Sequence, residues 1–128
     1  VPDGPACGCG SRGCLEALAS APALIAEGVR LLRTGQAPRL AELSGGDANQ
    51  VNPKIMADCG DPAVDAAIER LARYVGVGLA NVATILHPQA FVLGGGLALL
   101  GERLFAPARE EMRRRVRMFP AEGIQVLR

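Results

Sequence analysis

Hydrophobic residues recur at steps of three and four along residues 62–86, and this spacing predicts a long amphipathic helix. Polar residues occupy the other face, where Glu69 and Arg73 stand four positions apart as a weakly stabilising ion pair. Asp61 precedes the stretch as its expected N-cap. Because glycine is a poor helix former, we expect Gly76 and Gly78 to allow close approach of another backbone. The apolar positions of the helix are Val64, Ala67, Ile68, Leu71, Val75, Leu79, Val82 and Leu86.

Shorter helices are predicted before this stretch. An apolar face over residues 21–34 predicts a helix that Ser20 caps and Gly35 ends. One helical turn is expected at residues 39–43, and a short helix over residues 53–58 follows Asn52-Pro53.

The last third of the chain alternates strands with helices. Residues 90–93 predict a short buried strand, and residues 124–127 predict a second strand. Between them the pattern predicts a glycine turn at Gly94–Gly96 and a helix over residues 101–117. A helix that connects two strands usually crosses over between parallel strands. The sequence therefore indicates an α/β fold that is mostly helical with a short parallel sheet.

Three of the four cysteines, Cys7, Cys9 and Cys14, lie within eight residues and are interleaved with glycines. Such a cluster predicts a structural zinc site, since zinc takes four ligands and favours thiolate sulfur. The alternative is a loop of small buried thiols. A fourth ligand could come from Cys59, from His87, or from residues before Val1, although Cys59 is expected to be an incidental thiol and His87 a loop or core residue.

The glycine triplet Gly94–Gly96 follows an apolar strand and precedes a helix. Its exposed N–H groups could receive a nucleotide phosphate or ribose, although tight packing of the turn explains the glycines equally well. The triplet matches neither the P-loop nor the dinucleotide motif. The basic stretch at residues 113–117 is interpreted as a solvated helix face, because no aromatic residues accompany it for stacking on bases.

Composition narrows the class of protein. The chain has 128 residues, of which 49% are hydrophobic, and its net charge is +1. This is a length typical of one folded domain, and the charge gives no general case for binding nucleic acid or a membrane. We expect neither a signal peptide nor a transmembrane helix, because no apolar run reaches transmembrane length. Because the chain begins within a predicted loop and ends within a predicted strand, we expect a piece of a larger protein.

Two motifs resemble the ROK family of bacterial sugar kinases and sugar-responsive repressors. Residues 7–16, Cys-Gly-Cys-Gly-Ser-Arg-Gly-Cys-Leu-Glu, match the family's zinc signature Cys-x-Cys-Gly-x-x-Gly-Cys-x-Glu at every fixed position. Residues 87–97 resemble the strand and glycine turn near the family's nucleotide, and residues 76–81 resemble the helix between the two motifs. The resemblance implies part of the larger C-terminal domain of an actin-like, ribonuclease H-like fold.

The resemblance also implies roles for individual residues. Cys7, Cys9 and Cys14 would hold a structural zinc ion, with a histidine before Val1 as the fourth ligand. Glu16 would accept hydrogen bonds from sugar hydroxyls. Gly94, Gly95 and Gly96 would pack against the adenine nucleotide. Residues 1–19 would then form the zinc loop, residues 20–60 a helical segment and residues 61–128 the nucleotide-side segment.

The implied function is ATP- and magnesium-dependent phosphorylation of glucose or a related hexose. The family's phosphate-binding segment and catalytic aspartate have no match in residues 1–128, so we expect no catalytic residue in this chain and no activity from it alone. The alternative is the effector-binding domain of a sugar-responsive repressor, the one case in which nucleic acid would be a partner. The resemblance further implies a cytoplasmic homo-oligomer that binds no membrane.

Overall fold

The computed structural model describes all residues from Val1 to Arg128. Six helices, two short 3-10 helices and a two-stranded sheet make up the chain. The helices are α1 (Leu15–Leu18), α2 (Ala21–Arg33), α3 (Pro38–Ser44), α4 (Pro53–Cys59), α5 (Pro62–Leu86) and α6 (Glu102–Arg115), and the strands are β1 (Ala90–Val92) and β2 (Gln125–Leu127). The 3-10 helices span Ala48–Gln50 and Gly96–Leu100. No helix is both long and apolar enough to cross a bilayer.

The predicted long helix is confirmed, and α5 is the element on which the rest of the chain packs. Its first half joins α2, α3 and α4 in one hydrophobic cluster, which includes Leu24, Leu40, Met56 and Ile68. Its second half joins α6 and β2 in another cluster, which includes Phe105 and Met112. The two clusters follow most of the apolar stripe that the three-four spacing predicts. The prediction is wrong at Val82 and Leu86, which are 41% and 69% exposed, because no other element covers that face near the end of α5.

Gly76 is the point of closest packing between α5 and α6. A Cβ atom at this position would lie 2.6 Å from the carbonyl oxygen of Ala108, which is backbone and cannot swing aside. At Gly78 the nearest neighbour is instead a side-chain methyl of Leu15, 2.7 Å from the same hypothetical Cβ. The predicted close approach of a second backbone is therefore confirmed at Gly76, whereas Gly78 meets a flexible side chain.

We expect Gly76→Ala to lower the free energy of unfolding by about 1–2 kcal/mol. The methyl group forces α5 and α6 apart, and this costs more than the higher helix propensity of alanine contributes. Gly78→Ala is the matched control. It should leave stability unchanged or raise it by up to about 1 kcal/mol, because Leu15 can turn away. Urea unfolding followed by circular dichroism measures both variants, and equal effects would contradict the packing argument.

Helix capping agrees with the sequence at two positions and departs from it at a third. Ser20 and Asn52 accept hydrogen bonds from the N–H groups of Ala23 and Ile55, at 3.2 and 3.0 Å. Asp61 stands at the N-cap position of α5, but its side chain does not cap that helix. Its carboxylate instead accepts the N–H of Leu40 at 2.8 Å, and so caps α3, whose N-cap residue Ala37 has no capping side chain.

The two strands pair in parallel, as predicted, with Phe91 opposite Val126. The prediction that the first strand is buried is wrong, since Val92 is 73% exposed and Ala90 is exposed as well. Side chains alternate between the two faces of a strand, and in this sheet only the face with Phe91 and Val126 packs on the second cluster. The apolar run in the sequence cannot show whether the other face is covered.

The remaining predicted elements differ only at their ends. The turn expected at residues 39–43 is the longer helix α3, and the helix expected over residues 101–117 ends at Arg115. It stops there because Val116 adopts an extended backbone and buries its side chain in the second cluster.

Candidate functional site

The cysteine loop is shaped by short-range backbone hydrogen bonds. The N–H of Cys7 donates to the carbonyl of Ser11 at 2.9 Å, and the N–H of Gly10 donates to the carbonyl of Cys7 at 3.0 Å. Gly10 has a φ of +87°, which L side chains rarely adopt. These bonds fold the loop back on itself and bring its cysteines toward one point.

Gly13 closes the loop against the start of the chain. The backbone nitrogen of Val1 donates to the Gly13 carbonyl at 2.8 Å. Gly13 has a φ of +64°, and a Cβ there would lie 1.5 Å from the carbonyl oxygen of Val1. Only glycine fits this position, which explains the glycine directly before Cys14.

The three sulfur atoms of Cys7, Cys9 and Cys14 meet at this point, all within 4.8 Å of one another. The Sγ atoms of Cys9 and Cys14 are 3.6 Å apart. Sulfurs at about 2.3 Å from a tetrahedral zinc ion stand about 3.8 Å apart, so the thiol cluster fits three corners of such a site. The alternative of a loop of buried thiols is not supported, because Cys9 is exposed and the other two are only half-buried.

The thiols also alter one another's acidity. Hydrogen bonding to the backbone at Ser11, and then to the thiols of Cys14 and Cys7, lowers the pKa of Cys9. The hydrogen bond with Cys9 raises the pKa of Cys14 to about 11. The cluster thus makes one thiol more acidic than usual and its neighbour less acidic, and a divalent cation bound to the sulfurs would favour the thiolate form of both.

Neither candidate within the chain for a fourth ligand joins the cluster. Cys59 is buried in the first hydrophobic cluster, where its thiol donates to the carbonyl of Met56 at 3.2 Å. His87 ends α5 with a φ of +49°, and its ring packs against Phe119 with centroids 4.5 Å apart. Both residues have structural surroundings away from the cysteine loop.

Glu16 lies two residues beyond the cluster, in the first turn of α1, which starts directly after Cys14. Its side chain is exposed and lines an open pocket of about 210 Å³, together with Cys7, Gly8, Ser20 and Pro22. The loop that gathers the thiols thus supplies one wall of the pocket that Glu16 faces. A carboxylate in this setting can accept hydrogen bonds from ligand hydroxyl groups.

The glycine turn lies at the edge of a second, larger pocket. Gly94, Gly95 and Gly96 are exposed, and a Cβ on any of them would meet no atom within 4 Å. Only Gly95 requires glycine for its backbone, with a φ of +85°. Close packing within this chain therefore does not explain why three glycines follow one another. Close approach of a ligand would explain them.

Gly96 lines this second pocket, which has a volume of about 530 Å³. Its other walls come from the start of α2, from α4 and from the 3-10 helix that follows the glycines; they include Ala21, Asn52, Lys54, Asp58 and Leu99. Lys54 forms an ion pair with Asp58 at 2.9 Å and leaves its ammonium group exposed. The sequence predicts Asn52 only as a helix cap and gives no role to Lys54. The reason is that α4 meets the glycine turn only through the packing of the helices, which local sequence patterns do not show.

The two pockets flank the start of one helix. Ser20 and Pro22 line the pocket of Glu16, and Ala21 between them lines the pocket of the glycine turn. The first turn of α2 therefore forms part of the wall of both pockets.

Comparison with known proteins places this chain in a family. The sequence profile of the ROK family matches residues 1–127. A glucokinase of Streptomyces coelicolor is 37% identical over 121 residues, which cover 89% of this chain and 38% of that protein. The chain belongs to the ROK family.

Two solved structures resemble this chain, one of them in sequence and fold and the other in fold. The ROK family glucokinase of Streptomyces griseus, in complex with glucose and AMPPNP, has a TM-score of 0.84 and 35% identity over 99% of this chain and 43% of that one. A ROK family transcriptional regulator, a homologue of the E. coli MLC protein, has a TM-score of 0.85 at 23% identity, over 99% of this chain and 32% of that one. That second likeness shows the fold alone. The expected fold, part of an actin-like ATPase domain, is confirmed.

The chain is much shorter than these relatives. It spans about two fifths of the Streptomyces glucokinases and about one third of the regulator.

Proposed function

We propose that the whole protein carrying this chain is an ATP-dependent sugar kinase that phosphorylates glucose or a related hexose. The observation that carries the proposal is the pair of pockets on either side of the first turn of α2. One is walled by the cysteine loop and Glu16, and the other is bordered by the glycine turn. Phosphoryl transfer depends mainly on positioning two substrates side by side, which this arrangement serves.

In this proposal Glu16 binds the sugar. Its carboxylate accepts hydrogen bonds from sugar hydroxyls, which fixes the orientation of the ring. Cys7, Cys9 and Cys14 hold a structural zinc ion, which would contribute folding energy to the loop without taking part in the reaction. By holding the loop and the start of α1 together, the metal would position Glu16.

The second pocket takes the nucleotide. The exposed N–H groups of Gly94, Gly95 and Gly96 allow close approach of a polar ligand, and the adjoining volume of about 530 Å³ accommodates a nucleoside. The glucokinase relative bound to glucose and AMPPNP supports this assignment. ATP supplies the phosphoryl group when bound with Mg²⁺, and no catalytic residue is assigned within residues 1–128.

The second candidate is the effector-binding domain of a sugar-responsive repressor, which the fold likeness to a ROK family regulator supports. Such a protein would keep the sugar pocket and the zinc loop, with nucleic acid as its partner. The kinase is favoured because the identity to glucokinases reaches 37% and the glycine turn opens on a pocket. Free cysteines that ligate zinc favour a reducing compartment, which supports a cytoplasmic location for either protein.

Titration of the whole protein with glucose and, separately, with AMPPNP and Mg²⁺ separates the two candidates. A kinase binds both ligands, and saturation with one leaves the site of the other open. Binding of glucose together with absence of nucleotide binding at millimolar AMPPNP would favour the repressor and contradict the kinase. Isothermal titration calorimetry measures both affinities directly.

A further inference from the structure

A third cleft, lined by arginines, lies between α5 and α6 and shares no residue with the two pockets described above. Its volume is about 270 Å³, close to the lower limit of about 300 Å³ for small-molecule pockets. Tyr74 and Val77 of α5 form its uncharged wall. Its charged walls are Arg70 and Arg73 from α5 and Glu111, Arg114 and Arg115 from α6.

Glu111 is the element that organises this cleft. Its side chain is only 7% exposed, although Glu110 before it and Arg113–Arg115 shortly after it are exposed. Arg114 donates two hydrogen bonds to its carboxylate, at 3.1 and 2.7 Å, and Arg115 donates a third. These contacts hold the pKa of Glu111 below its usual range, with the hydrogen bond from Arg114 as the largest cause. A buried carboxylate is costly unless it is paired, so it fixes two guanidinium groups in place.

The arginines keep unused hydrogen-bonding capacity. Arg70 and Arg73 each donate one bond, to Glu27 at 3.1 Å and to Glu69 at 2.7 Å. Their guanidinium groups, like those of Arg114 and Arg115, remain about half exposed or more. Each guanidinium carries five N–H donors, so most of the donors that border the cleft have no acceptor in the protein.

The charge around the cleft has a small positive excess. The charged side chains at its walls and rim are five arginines and four glutamates: Arg30, Arg70, Arg73, Arg114, Arg115, Glu27, Glu69, Glu110 and Glu111. Three of the glutamates, Glu27, Glu69 and Glu111, form ion pairs with arginines and so restrain the guanidinium groups. A planar guanidinium matches the geometry of phosphate oxygens, and restraint before binding lowers the entropy lost on binding.

We infer that this cleft binds the phosphoryl group of a small phosphorylated metabolite. The volume suits a phosphate monoester, and the facing arginines from two helices match its two negative charges. The inference does not depend on the kinase assignment, because the cleft, its residues and its ligand chemistry are separate from both substrate pockets.

The experiment is calorimetric titration of the whole protein at low ionic strength with three probes: inorganic phosphate, a hexose 6-phosphate and AMP. Arg73→Gln combined with Arg114→Gln should weaken monoester binding about tenfold or more. Arg113→Gln combined with Arg117→Gln is the matched control, since it removes the same charge from exposed residues that do not line the cleft. The affinity of the control for the monoester should stay within about twofold of that of the unmodified protein, because exposed charges contribute little.

The variant Glu111→Gln distinguishes binding by positioned arginines from non-specific attraction of anions by positive charge. This variant makes the cleft more positive, so simple electrostatic attraction would strengthen binding. If Glu111 positions Arg114 and Arg115, binding should weaken instead, by about threefold to tenfold. Circular dichroism checks that each variant is folded. No binding of either monoester at millimolar concentration, equal weakening by the two double variants, or stronger binding by Glu111→Gln would overturn the inference.

Discussion

Replacing Cys9 with serine is expected to remove zinc from the whole protein. The three Sγ atoms meet within 4.8 Å, and loss of one thiolate leaves a site that a tetrahedral zinc ion cannot fill with its preferred ligands. We expect the affinity for zinc to fall by about 100-fold or more, because a structural zinc site derives its binding energy from the full ligand set. Metal analysis of the purified protein should show about one zinc per chain before the change, as a tetrahedral site requires, and almost none after it.

Cys59→Ser is the matched control for this prediction. Cys59 is buried away from the loop, and its thiol donates to a backbone carbonyl that a serine hydroxyl can also reach. The control should retain its zinc. Equal loss of zinc from both variants would mean that the metal responds to general destabilisation, and full retention by Cys9→Ser would exclude the cysteine loop as the site.

The second large effect is expected at Glu16. Glu16→Gln in the whole protein removes the charge but keeps the shape of the side chain. Charge-assisted hydrogen bonds contribute about 1.5–3 kcal/mol each, so sugar affinity should fall by about 10- to 100-fold. Nucleotide affinity should change by less than about threefold, because Glu16 and the glycine turn line separate pockets.

Glu42→Gln is the control for the Glu16 variant, since Glu42 is exposed on α3 and forms no ion pair within the chain. It should leave both affinities unchanged. Equal loss of sugar and nucleotide binding in Glu16→Gln would show that Glu16 supports the fold of the loop and does not contact the sugar.

Local features of the chain could be predicted from the sequence because their causes are local. The apolar spacing of α5 determines which face is buried, and Ser20 caps α2 through an N–H three residues away. The cysteine cluster could also be predicted, since all its sulfurs come from one short loop whose glycines allow the required turns.

Features that join distant parts of the chain could not be predicted in this way. Asp61 caps α3, and Lys54 reaches the pocket of the glycine turn, because of how the helices pack. Burial of β1 was expected from its apolar residues, but burial depends on what covers the sheet. The arginine stretch on α6 was interpreted as a solvated face, and only the structure shows Glu111 buried between its neighbours and facing Arg70 and Arg73.

The central claim is that this chain supplies the sugar and nucleotide sides of a kinase. Transfer of the γ-phosphoryl group from labelled ATP to glucose, by the whole protein with Mg²⁺, tests it most directly. The account predicts labelled glucose phosphate in proportion to the ADP formed, with much less product from Glu16→Gln. Tight binding of glucose without transfer of the phosphoryl group to glucose or a related hexose, at saturating ATP, would contradict the kinase proposal. The sugar-responsive repressor would then be the favoured function.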